Sequence, residues 1–164
     1  MIAGRATDLT VGSDGNVYLA DAGIPSGTFV PSGTDSVYVI DGGRAKPLAK
    51  GLDLKRPESI VWTPKGLVVC SFETNEIYRL DAQGRKQDIT KTPGAGLAGI
   101  VSLGDFLLVT SWESSPIFRG KLGGSFEVAF ADQKSPSDLG YDSERARLLV
   151  PHFRENTVEA FELR

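Results

Sequence analysis

One histidine, one cysteine and one methionine are all that 164 residues supply. A lone cysteine, Cys70, cannot close an internal disulfide; set in the apolar run LVVCSF, it reads as a small buried hydrophobe. A lone histidine, His152, excludes every metal site built on several imidazoles, and a Ser-His-Asp arrangement would need it beside a serine such as Ser111, with no motif to support it. No apolar run approaches the ~20 residues of a membrane-spanning helix. No cluster of lysine and arginine marks a nucleic-acid or anionic-membrane surface, and the net charge is −3. The opening MIAGRATD lacks the apolar stretch of a signal peptide. A sustained 3.6-residue apolar period is also missing, which argues against amphipathic helices.

What the chain has instead is turns and short apolar runs. Glycine (19) and proline (9) punctuate a composition that is 40% hydrophobic and 24% charged, values of a globular domain with many tight connections. The runs recur. PESIVWTPKGLVVCSFETNEIYRL (57–80), LAGIVSLGDFLLVTSWESSPIFRGKL (97–122) and PSDLGYDSERARLLVPHFRENTVEAFEL (136–163) stand about 40 residues apart. ATDLTVGSDGNVYLAD (6–21), with its third run SVYVID from Ser36, is a fourth copy. In this alignment Asp8, Glu58, Ala98 and Asp138 hold one place, and Asp21, Ser71, Ser111 and Pro151 end the second runs. The first copy alone carries about ten extra residues, from Ala22 to Thr34, either a functional loop or a plain surface excursion.

Four short strands per roughly 40 residues is the blade of a β-propeller. The expected fold is all-β: about four blades of four antiparallel strands, the last with three, at residues 5–53, 54–93, 94–133 and 134–164. The leading strand of a blade is innermost, so Asp8, Glu58, Ala98 and Asp138 should ring one mouth of the axial channel. The loops near Asp21, Phe72, Trp112 and His152 should surround it. Tyr18, Tyr38, Tyr78 and Phe118 read as interblade core. A three-stranded last blade leaves an edge open to self-association, and the chain reads as the C-terminal part of a larger, six-bladed propeller.

GSDGNVYLADAGI (12–24), RPESIVWTPKGLVV (56–69), LLVTSWESSPIFRG (107–120) and SPSDLGYDSERARLLVPHFRENTVEAFEL (135–163) together resemble the gluconolactonase / senescence-marker-protein (regucalcin-like) family of six-bladed propellers. That resemblance implies a divalent cation at the channel mouth, held by a glutamate of the first blade and by Asn and Asp of inner strands. The cation would polarise a sugar-lactone carbonyl and help generate hydroxide. Hard oxygen ligands imply calcium, magnesium or manganese. This chain departs from the pattern: Thr7-Asp8 stands where the family has Asn-Asp, Glu58 replaces an asparagine, Ala98 replaces an aspartate, and the glutamate would precede Met1.

A remodelled cation site would therefore draw on Asp8, Glu58 and Asp138; the alternative is that these side chains cap inner-strand turns and face a water-filled channel. Arg5, where some members place an arginine on substrate, joins Thr7, Trp112 and His152 as candidate substrate-binding residues. Trp112 and Phe72 hold equivalent places and suit either rim packing or the face of a carbohydrate or lactone. Two functions follow: a lactonase-lineage propeller binding a small molecule at its mouth, or a non-catalytic propeller serving as a scaffold, similar to NHL-type modules.

Overall fold

A computed structural model describes residues 4–163 and is all-β. Asp-Gly and Gly-Gly turns join short runs into four antiparallel sheets whose strands follow chain order. The first blade is β1 (Ala6–Val11), β2 (Val17–Asp21), β3 (Ser36–Asp41) and β4 (Arg44–Lys50). The second is β5 (Pro57–Thr63), β6 (Gly66–Ser71), β7 (Glu76–Leu80) and β8 (Lys86–Lys91). The third is β9 (Leu97–Leu103), β10 (Phe106–Ser111), β11 (Ile117–Gly120) and β12 (Phe126–Phe130). The last has three strands, β13 (Gly140–Asp142), β14 (Arg147–His152) and β15 (Thr157–Glu162). Helical geometry among the described residues is confined to one 3₁₀ turn, Leu52–Leu54, between the first two blades. The architecture is a β-propeller of four blades.

Alternation along the strands sends every second side chain into a gap between blades. Tyr18, Ile60, Val69 and Tyr78 fill the first gap, Val68, Cys70, Ile100 and Phe118 the second, and Leu108, Ile117, Leu148 and Val150 the third. Tyr38 is buried, at 4% exposure, but outside these three clusters. It pairs across the strands with Leu19, so both side chains lie on the opposite face of blade 1 from Tyr18. On that same face Leu9 and Val11 remain 60% exposed.

The leading strands are tied side by side. Asp8 accepts from Ser59 Oγ (2.5 Å) and from the Ile60 amide (2.8 Å), and Ser59 Oγ accepts from the Ile100 amide (3.3 Å). Gly99 lets blades 3 and 4 approach closely: a Cβ there would lie 2.7 Å from the Asp138 backbone.

Candidate functional site

Main-chain pairing fixes which residues are equivalent between blades. Ala6, Pro57, Leu97 and Pro136 oppose Asp21, Ser71, Ser111 and His152 respectively. The register slips just after each of the first three, so that an extra residue bulges out of the leading strand. The residues next in line are Thr7, Glu58, Ala98 and Ser137, and these four line the mouth of the channel. Asp8, Ser59, Gly99 and Asp138 form the next tier, of which Asp138 alone also reaches the cleft. The alignment by sequence alone had therefore slipped by one residue in the first and last blades: Asp8 corresponds to Ser59, and His152, not Pro151, ends the second strand of blade 4.

A second recurring contact holds the loops around this mouth. Ala22, Phe72, Trp112 and Phe153, each just beyond a second strand, donate their amides to the carbonyls of Arg5, Arg56, Gly96 and Ser135. Three of those acceptors take a left-handed backbone: Arg56 (φ 59°), Gly96 (φ 70°) and Ser135 (φ 47°). Lys55, before Arg56, is left-handed too (φ 58°). Such non-glycine residues cost about 1–3 kcal/mol each and persist only where surrounding bonds impose them. Here the buried Asp35 does so, accepting the Arg56 amide at 2.7 Å.

The result is an open cleft of about 580 Å³ at the mouth. Its rim is aromatic in every blade. Phe72, Trp112 and Phe153 occupy equivalent positions, and Trp112 meets Phe153 edge-on at 5.0 Å. Blade 1 has the buried Ala22 at that position, and its long insertion brings Phe29 to the cleft instead. The insertion is pinned at its base, where the Ser32 amide and hydroxyl both reach the Gly23 carbonyl (2.8 and 2.7 Å).

One wall is charged. Arg5 bonds Glu58 Oε1 at 3.1 Å, and Arg56 Nε lies 3.8 Å from Glu58 Oε2 while its guanidinium stacks on Phe72, 4.2 Å from the ring centre. Burial pushes the Glu58 carboxyl up from its ordinary value, and the two guanidinium groups oppose that shift. Asp8 is likewise raised by burial, against three hydrogen bonds from Ser59, Ile60 and Leu9. Asp138 is raised to about 6, first by burial and then by the charge of Asp8; the Leu139 amide, bonded to Oδ1 at 2.8 Å, pulls the other way. It can exchange a proton near neutral pH.

Of the expected substrate-contacting residues, Arg5, Thr7 and Trp112 line the cleft. Thr7 Oγ1 lies 3.3 and 3.2 Å from the Ala20 and Pro57 carbonyls, joining blades 1 and 2. His152 is elsewhere. It is 7% exposed, with Nδ1 3.2 Å from the Lys134 carbonyl and Nε2 3.3 Å from Glu159, and it borders a separate hollow of about 310 Å³. Its counterparts explain why. Ser71 donates to the Lys55 carbonyl, Ser111 to the Ala95 carbonyl (2.5 Å), and Asp21 accepts from the Gly4 amide (3.1 Å). All four side chains tie the end of a second strand to the segment entering its own blade, and His152 is blade 4's version of that tie. Arg56, Phe29, Phe153 and Ser137 are the cleft residues that sequence reasoning missed. Cys70 is fully buried, and burial holds its thiol well above the ordinary range, so it offers no nucleophile.

The carboxylates do not fit a resident divalent cation. Ala98 offers no ligand, both Asp8 oxygens already accept hydrogen bonds, and Glu58 is paired with two guanidinium groups, so that its buried Oε2, which accepts no hydrogen bond, stands beside a cationic side chain. Among the described residues, no three acidic, histidine or cysteine side chains converge as a cation site.

No family model and no curated protein matches the chain. Solved structures do. A chain of a nidogen/laminin complex superposes with a TM-score of 0.78 at 18% identity, covering 98% of this chain and 61% of its own. Virginiamycin B lyase from Staphylococcus aureus gives 0.68 at 13% identity, over 99% of this chain and 57% of the lyase. A gluconolactonase from Xanthomonas campestris gives 0.69 at 18% identity, over 90% of this chain and 54% of the enzyme. At such identities the likeness establishes the propeller fold. The chain spans a little over half the length of these proteins.

Proposed function

We propose that the chain is a small-molecule-binding propeller of lactonase lineage that holds its ligand at the mouth of the axial channel. One observation carries this reading: four blades each deliver an aromatic ring to the rim of a single 580 Å³ cleft whose inner wall is lined by Arg5, Arg56, Glu58 and Asp138. A concave site with a mostly apolar lining and a few convergent polar groups is the usual form of a ligand pocket. Gluconolactonase and lyase structures of the same fold support the lineage. Binding here proceeds without the family's cation, because the donor set has been replaced. Arg56, held over the Phe72 ring, is placed to donate to a ligand oxygen, and Asp138 to accept or return a proton.

Intrinsic fluorescence tests the reading, since Trp112 sits on the rim and Trp62, the other tryptophan, is stacked on Tyr18 at a distance from it. Ring compounds should change the emission saturably, the change should vanish in Trp112→Phe, and calcium or manganese should neither bind nor be required. Acid release from aldonolactones measures turnover separately. A second reading, the non-catalytic scaffold, is favoured by Ala98 and by the engaged Glu58; it predicts no response to any small ring compound.

A further inference from the structure

Most of the cleft's polar groups already have partners within the protein; Glu58 Oε2 and Arg56 Nε are the buried exceptions, with no hydrogen bond of their own. Glu58 takes Arg5 at 3.1 Å and faces Arg56 at 3.8 Å. The Thr7 hydroxyl has its proton directed at the Ala20 and Pro57 carbonyls. Asp138 Oδ1 accepts the Leu139 amide, and Asp8, behind it, is engaged on both oxygens. Those two atoms are too few to meet the many hydroxyls of a sugar, and buried hydroxyls without partners are costly.

The rim is the reverse. Phe29 and Phe153 are 88% and 67% exposed, Trp112 stands against Phe153, and Ala98 leaves the floor between them apolar. Aromatic surface left open around a concavity marks a place where apolar ligand surface is removed from water. The three rings following the second strands come from equivalent positions, and the fourth is brought in by an insertion, so the rim is built, not incidental.

We propose that the mouth cleft takes an apolar, ring-bearing carbonyl compound in preference to a polyol. The ligand's ring lies among Trp112, Phe153, Phe72 and Phe29, and its carbonyl oxygen accepts from the Arg56 guanidinium. This rests on the mouth being a ligand site, and it names the class of ligand that site selects.

A matched pair of six-membered lactones tests it: 6-phenyl-δ-valerolactone and glucono-δ-lactone, titrated against the protein by Trp112 emission and by calorimetry. The phenyl compound should bind about 10-fold or more tightly than the polyol, as expected when one member finds aromatic contacts and the other loses hydroxyl solvation. Phe153→Ala and Phe72→Ala should each weaken the phenyl compound by about 2- to 10-fold and leave the polyol unchanged. Phe153→Leu, with its thermal midpoint checked, separates lost contact from lost folding. Equal or tighter binding of glucono-δ-lactone overturns the ligand class while leaving the mouth as a binding site. Failure of both lactones to bind removes the site itself, and this inference with it.

Discussion

Asp138 is the residue whose chemistry is most altered by its place in the fold. Unfolded, it ionises near 3.8; folded, near 6, because it is withdrawn from water beside Asp8. Between those values the folded chain binds the proton more tightly than the unfolded one. Its contribution to stability therefore falls as pH rises from about 4 to about 6, and the full penalty stands above that. Asp8 and Glu58 are also raised and act in the same direction. Asp14, Asp81 and Asp142 are lowered by their hydrogen bonds and act in the opposite one, so the whole-protein profile does not isolate the effect. A difference does. Asp138→Asn should melt higher than the wild type at pH 7.5, and the gap should close towards pH 4. A gap of the same size at both pH values would show that the carboxyl feels neither burial nor Asp8.

At the level of the element, each second strand ends in a side chain tied to the segment entering its own blade: Asp21, Ser71, Ser111 and His152. Ser111 is fully buried, donates to the Ala95 carbonyl and accepts the Ser114 amide. Removing a buried, doubly used hydroxyl costs about 1–3 kcal/mol, so Ser111→Ala should lower the thermal midpoint by several degrees. His152→Ala should likewise lower the midpoint yet leave ligand affinity at the mouth unchanged; a lost affinity would return His152 to the site. The strands themselves were legible, since alternation and Asp-Gly turns mark both their ends. Their register was not. Ala6 to Asp21 spans one residue more than Pro57 to Ser71, and Pro136 to His152 spans two more. Runs aligned by their apolar ends thus shift the inner-strand residues of blades 1 and 4 by one. That shift put Asp8 in the place of Thr7, and Asp138 in that of Ser137. Arg56 gave no signal at all, for its position depends on two successive left-handed residues and on Asp35, brought up by the first blade's insertion.

Across the whole molecule, stability resides in the gaps between blades, where facing sheets bury one another's side chains. The three gaps hold nearly all the fully buried aliphatic and aromatic side chains, while Leu9 and Val11 on blade 1 and Val158 on blade 4 remain at least 60% exposed. The same substitution should therefore have very different consequences in the two settings. Leu108, 2% exposed in the gap between blades 3 and 4, loses its packing against blade 4 when cut back, and Leu108→Ala should cost about 2–5 kcal/mol. Leu9→Ala, at a side chain 60% exposed to solvent, should stay within about 0.5 kcal/mol. Denaturant titration of both variants at low protein concentration measures the contrast. Comparable losses would mean that the face bearing Leu9 and Val11 is covered in solution, and that the four blades do not stabilise one another solely through the three gaps between them.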